Sequence, residues 1–325
     1  MLKKILVMMT ILLVLVGCAT GNNNNNNTGN NNAGNDNEGP VSNVINVYTR
    51  DATSGTREAF EGGIGLGDDA LTADAVETSG NGDMAAKVGA DALAVGYVSL
   101  TTDFDANNLT AVHFEGVEPT IENVLSEEYT LSRPFSITSR AKGDFETDKH
   151  EQVVAAFVDF IMNSTEGLLA VEAAGGIVDV DDSTAWANLA SAHSVLEGDV
   201  SDITIRTAGS TSVEKTLEAA LQAFQAETGV QFAMAHTGSG DGFRRVLGSE
   251  KDGANAADLG FASRGFDTEG DEPQATLDTA LVADAYALDA VVVVVNADNT
   301  SVTSLSAEQV EGIYSGTITD WSEVQ

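Results

Sequence analysis

Val44-Ile45-Asn46-Val47-Tyr48-Thr49 runs directly into Arg50-Asp51-Ala52-Thr53-Ser54-Gly55-Thr56, and later Ile203-Thr204-Ile205 runs into Ala208-Gly209-Ser210-Thr211-Ser212-Val213. Each unit is an apolar, β-branched run, then small and hydroxyl residues, then a stretch with helical character. The first reads as a strand over 44–49 and a helix beginning at Thr56. The second reads as a strand over 203–207 and a helix over 212–227, with Val213, Leu217, Leu221 and Phe224 on one stripe. Small residues let a ligand approach the backbone. The free N–H groups of a helix start, beside Ser and Thr hydroxyls, suit a tetrahedral oxyanion. Two such loops in one chain imply one anion held between two lobes.

The remaining pattern extends this reading. Strands are predicted over 92–98, 230–235, 258–262 and 290–295, and helices over 151–162, 165–174 and 306–314. Gly175-Gly176 stops one helix, and Ser306 is placed to cap another. Thr237-Gly238-Ser239-Gly240-Asp241-Gly242 reads as a tight loop before a helix around 243–247, and the acidic stretch 178–202 reads as a connector. Strand and helix alternate, which predicts an α/β protein with largely parallel sheets. Ligands of open α/β sheets sit at the carboxyl ends of strands. Residues 50–56, 210–212, 238–240 and 263–264 have that position.

Composition excludes several functions. With 50 acidic and 15 basic residues the 325-residue chain carries a net charge of −35, against any nucleic-acid partner. Such a charge repels an anion at long range, so recognition must come from local dipoles and placed Arg residues. His113, His150, His193 and His236 have no metal-ligand spacing, so no metal and no cofactor is expected. No Walker loop, no Gly-x-Ser-x-Gly elbow and no nucleophile with a His base is visible, which argues against an enzyme. Trp186 and Trp321 read as packing residues.

At the start, Lys3 and Lys4 precede an apolar run from Ile5 to Val16 that is too short to span a bilayer. Leu15-Val16-Gly17-Cys18 resembles a bacterial lipobox, so residues 1–18 are expected to be a signal peptide cleaved before a lipidated Cys18. As the sole cysteine, Cys18 leaves no internal disulfide. The Asn-rich residues 19–40 are expected to be a disordered tether.

These segments together resemble the phosphate-binding lipoproteins of bacterial phosphate ABC importers. Arg50 to Thr56 resembles that family's Arg-x-x-x-Ser-Gly-Thr loop, and residues 208–213, 237–240 and 258–264 resemble its other loops. Gly96 to Leu100, Leu131 to Phe135 and Ile318 to Trp321 are similar to its scaffold segments. The resemblance implies a two-lobed type II periplasmic-binding-protein fold, with two doubly wound sheets joined by a two-segment hinge. It implies capture of inorganic phosphate by hinge closure, delivery to a membrane ABC permease, no catalysis, and a monomer anchored by lipid outside the membrane. Other readings are a binding protein for sulfate, molybdate or phosphonate, and a surface phosphate sensor or adhesin.

Relative to the family, the two halves stand in reversed order, as in a circular permutant. One lobe is then expected from residues 41–135 with 296–325, the other from 136–295 including a connector at 181–202. Residues 131–138 and 290–295 become the crossovers. By matching position, Arg50, Ser54, Gly55 and Thr56 would hold phosphate from one lobe and Thr211, Ser212, Ser239 and Ser263 from the other. One departure stands out. Many family members carry an Asp that accepts a proton from phosphate where this chain has Arg264. Asp51 and Asp241 are both possible substitutes.

Overall fold

A computed structural model describes residues 43–67 and 70–324. The expected signal peptide, Cys18 and the tether lie outside these residues. In order, the chain forms β1 (Asn46–Arg50), α1 (Gly55–Ile64), β2 (Val76–Thr78), α2 (Asn81–Gly89), β3 (Ala94–Ser99), β4 (Leu109–Ala111), β5 (His113–Phe114), α3 (Ile121–Leu125) and β6 (Ser132–Ser139). Then follow α4 (Asp148–Asn163), α5 (Thr165–Ala173), α6 (Trp186–Leu189), β7 (Thr204–Gly209), α7 (Glu214–Thr228), β8 (Gln231–His236) and α8 (Ser239–Val246). Finally come β9 (Leu259–Ala262), α9 (Gln274–Leu277), β10 (Ala283–Asn296), β11 (Ser304–Leu305) and α10 (Ala307–Ser315).

The principal sheet has nine strands in the order β2-β1-β3-β10-β6-β9-β7-β8, with β4 also on β10. Its two flanks are parallel: β1 pairs with β2 and β3, and β7 pairs with β8 and β9. The middle is antiparallel. Strand β10 pairs with β6 over Ala283–Ala290, then with β3 over Val291–Val295. The two expected sheets are therefore linked edge to edge through one long strand, and the whole is mixed. The run Val291–Val295 is buried throughout, which is why that stretch reads as uninterrupted valine.

Two hydrophobic cores flank the crossing. One gathers Val47, Phe60, Tyr97, Leu131, Val291 to Val295 and Tyr314. The other gathers Phe135, Phe157, Phe160, Leu217, Phe224, Phe261 and Tyr286. Leu131 and Phe135 on one crossing segment, and Ala287 and Ala290 on the other, thus belong to different cores. The connector supplies Trp186, which packs edge-on against Phe160 at 5.1 Å between ring centroids.

Local chemistry explains the boundaries. Ser54 caps α1 by accepting from Arg57 N at 3.3 Å, and Gly65 closes it in the left-handed region. Ser306 and Gln309 form a capping box on α10. Helix α8 begins earlier than its glycines suggest. A Cβ on Gly242 would stand 2.8 Å from Phe261 N, so these glycines let α8 lie against β9. Close approach thus outweighs their poor helix propensity.

Candidate functional site

The carboxyl ends of β1, β7 and β9 and the starts of α1 and α8 converge on a cluster of hydroxyls. Ser263, just beyond β9, is its centre. Its Oγ accepts from Ser210 Oγ at 2.9 Å and lies 3.3 Å from Ser239 Oγ and 3.4 Å from Thr56 Oγ1. Ser263 N donates to Ser239 Oγ at 3.0 Å. Thr56 Oγ1 and Ser212 Oγ share a 2.9 Å hydrogen bond between the two flanks of the sheet. All five hydroxyl residues are buried. Helix starts leave N–H groups without intrahelical partners, and Gly55 and Thr56 open α1 at this cluster.

Two glycines make the approach possible. Gly209 has φ 127° and sits where a Cβ would lie 2.8 Å from Phe261 N, so the Ser210 turn can fold onto β9. A Cβ on Gly55 would stand 2.8 Å from Ser239 Cβ and collide with its Oγ. His236 braces the Ser210 turn. Its Nδ1 lies 2.9 Å from Ser210 O and its Nε2 2.9 Å from Thr207 Oγ1. Burial pulls its pKa down to about 4, so at neutral pH the ring is neutral: Nδ1–H donates to Ser210 O and Nε2 accepts from Thr207.

Arg50 stands at the end of β1 with only 1% of its surface exposed. Its backbone N donates to Tyr97 OH at 3.0 Å, and Tyr97 stacks on Phe60. The guanidinium is weakly engaged. Nη2 reaches Asp51 Oδ2 at 3.4 Å, and the buried Nε has no protein partner. Burial works against its charge, with Asp51 opposing.

Arg133 lies in a segment expected only as scaffold, and no motif in the sequence marks Asp289. Arg133 on β6 and Asp289 on β10 are register partners. Nε and Nη2 donate to Asp289 Oδ2 at 3.0 and 2.8 Å, and Nη1 donates to Ser263 Oγ at 3.3 Å. The other oxygen, Asp289 Oδ1, accepts from Ser99 Oγ at 2.9 Å and Leu100 N at 3.2 Å. The available signal was an Arg and an Asp in two strands otherwise apolar enough to be buried.

Five of the eight expected ligands meet at or beside this cluster as nearest neighbours: Gly55, Thr56, Ser212, Ser239 and Ser263. Ser54 caps α1 next to it. Thr211 is placed elsewhere, where its Oγ1 accepts from Asn81 N at 3.2 Å at the start of α2. Arg264 turns away. It forks onto Glu272 at 2.8 and 2.9 Å and lies 2.7 Å from Glu58 on α1. Burial opposes that charge, but Glu272 and Glu58 hold its pKa above the ordinary value. The two carboxylates considered as proton acceptors are already engaged. Asp51 binds Thr53 N and Arg50, and Asp241 binds Thr237, Arg244 and Arg245. Among the described residues no group of three or more His, Cys, Asp or Glu is arranged to hold a metal ion.

An α/β sheet bent through two crossing strands, with hydroxyl loops converging from both flanks, defines a binding protein of the periplasmic-binding-protein class. Residues 188–325 match a family model described as a PBP superfamily domain. The chain is 30% identical over 295 residues to phosphate-binding protein PstS 2 of Streptococcus pneumoniae serotype 4, covering 88% of this chain and 89% of the relative. It is 28% identical over 302 residues to the PstS 2 of Streptococcus agalactiae serotype V, covering 89% of this chain and 91% of that one. A crystal structure of a phosphate ABC transporter phosphate-binding protein from S. pneumoniae TIGR4 superposes with a TM-score of 0.61 at 27% identity, covering 87% of this chain and all of that one. The chain belongs to the PstS family of phosphate-binding proteins.

Proposed function

We propose that this protein captures inorganic phosphate outside the cytoplasmic membrane and delivers it to an ABC importer. It is a binding protein and not an enzyme. The observation that carries the reading is the buried hydroxyl cluster built from both flanks of the sheet, with the under-engaged Arg50 beside it, in a member of the PstS family. Arg50, Ser54, Gly55 and Thr56 hold the anion from the β1 side, and Ser212, Ser239 and Ser263 hold it from the β7 and β9 side. Thr211 acts at the rim, where its bond to Asn81 joins the two sides. Each charge-assisted hydrogen bond contributes about 1.5–3 kcal/mol, so several together offset desolvation of the anion.

Capture proceeds by hinge bending between the lobes 41–135 with 296–325 and 136–295. The two cores, and the crossing of residues 131–138 and 290–295 between them, support that division. The relation to the family by circular permutation is also proposed. Supporting it, Ile45 N donates to Thr319 O at 2.8 Å and Trp321 N to Asn43 O at 3.0 Å, as the two sides of a cut loop would. The match along 88% of this chain and 89% of the pneumococcal relative implies the same order there, so the proposed permutation would be shared with that relative and not set this chain apart from it. The protein is extracytoplasmic and membrane-associated. Among the described residues no helix is long and apolar enough to cross a membrane. Lipid on Cys18 is the proposed anchor, and the monomer is the proposed form that meets the permease.

Isothermal calorimetry with inorganic phosphate tests the function, with sulfate, molybdate and a phosphonate as competitors. Saturable phosphate binding displaced poorly by the others is expected. No phosphate binding, or tighter binding of a competitor, overturns the assignment.

A further inference from the structure

We infer that Arg133, anchored by Asp289, is a second arginine of the anion site, fixed at the crossing of the two strands that link the lobes. The inference rests on the phosphate reading and extends it to residues outside the strand-end loops.

Arg133 is buried, and two of its nitrogens go to a single oxygen, Asp289 Oδ2. The second oxygen of Asp289 is already taken by Ser99 and Leu100 N. The carboxylate is therefore saturated, and the guanidinium cannot rotate without breaking two charge-assisted bonds in a dry interior. This fixes the remaining nitrogen, Nη1, on Ser263 Oγ at 3.3 Å. Ser263 is the hydroxyl on which Ser210, Ser239 and Thr56 also converge. A long bond to a neutral hydroxyl is a weak use of a charged donor, whereas an oxyanion among those hydroxyls would accept from it strongly.

A second, independent observation points the same way. Arg50 is buried with an unpartnered Nε and a long contact to Asp51. Its charge is felt at Arg133, where burial and Arg50 both work against the cation while Asp289 opposes them. Two buried guanidinium groups close enough to feel one another, with only one carboxylate fully committed to them, leave a local excess of positive charge. In a chain of net charge −35 that excess is a local exception suited to an anion. Position adds a consequence. Asp289 lies two residues before Val291, where β10 leaves β6 for β3, so Nη1 is aimed by the crossing itself and not by either lobe alone.

The test compares phosphate binding by wild type, Arg133→Lys, Arg133→Gln and the double variant Arg133→Gln/Asp289→Asn in calorimetry, with unliganded melting temperature measured in parallel. The double variant removes both charges of the ion pair at once, so no buried charge is left unpaired. If Arg133 binds the anion, the double variant melts near wild type yet binds phosphate at least tenfold more weakly, and Arg133→Lys falls between them. If Arg133 is only structural, the double variant binds phosphate like wild type, which overturns the inference. Should the double variant fail to fold, Arg133→Lys decides: wild-type affinity overturns the inference, and a loss of threefold or more with an unchanged melting temperature supports it. Failure of the wild-type protein to bind phosphate would instead defeat the function on which this rests.

Discussion

Arg50 and Arg264 each lie at the carboxyl end of a strand, each next to small hydroxyl residues, and the two have opposite fates. Arg264 has its charge met by two carboxylates: Glu272 forks onto its terminal nitrogens and Glu58 lies 2.7 Å from its Nε, which like that of Arg50 makes no hydrogen bond. Arg50 is more deeply buried and has only a 3.4 Å contact with its neighbour Asp51. The difference lies in the carboxylates that the fold brings alongside, not in the loops themselves. An arginine ringed by glutamates ties segments together. One left short of partners in a dry cluster of hydroxyls is available to an anion. Where the family resemblance implied a proton-accepting carboxylate, this chain has an arginine whose charge is met by two glutamates.

The largest effect that would break this contrast is at Arg50. Arg50→Ala should weaken phosphate binding by about 2–5 kcal/mol, and by tenfold at the least, because a buried charged donor to the ligand is lost. Calorimetry showing unchanged affinity would put Arg50 in the same structural class as Arg264.

Next in size is the brace beneath the serine side. His236 has a folded pKa of about 4 against an ordinary 6.5, so the folded state favours the neutral ring. Its contribution is complete above the unfolded value and is lost as pH falls from about 6.5 towards 4, amounting to roughly 3 kcal/mol. Denaturant unfolding at several pH values should show this acid loss in wild type and a smaller one in His236→Gln. Equal slopes in the two proteins would remove His236 from the account.

Glu272→Gln should lower stability by about 1–3 kcal/mol through loss of charge-assisted bonds to Arg264 and of the bond from Asp267 N at 2.7 Å. Thermal melting measures it. Phosphate affinity should change much less than in Arg50→Ala. A rise in affinity would mean that the released Arg264 turns to the anion, and the contrast would dissolve. Glu58→Gln should have the smallest effect, under about 1 kcal/mol, because Glu58 is 62% exposed and its pair is screened. A faster phosphate release at unchanged melting temperature would show that even this pair helps hold the lobes together.

Much of the fold was legible before the structure. Predicted strands over 203–207 and 230–235 correspond to β7 and β8 within a few residues, because β-branching in the first and alternation in the second agree with their burial. The valine run marked a central strand, though not that the strand extends back to Ala283 and serves both flanks. The start of α8 was misplaced because glycine reads as a breaker, and only the contact with β9 reveals why glycine is required there. At the site, the hydroxyl loops were legible because capping Ser and Thr residues at strand ends stand beside free helix N–H groups, a local pattern of neighbours in the chain. Arg133 and Asp289 were missed because they are far apart in sequence and meet only through strand register.

Sequence by itself determined the alternating α/β order, the hydroxyl-rich loops, the acidic charge that forces any anion site to be local, and the family resemblance. Those properties are carried by neighbours in the chain, through period, capping and composition. Tertiary structure alone decided which charges are free. Pairing depends on which residues β10 and β6 bring side by side, and on which glutamates reach Arg264 across the two flanks. Electrostatic availability in a dry interior is a property of distance in space, and one-dimensional spacing does not contain it.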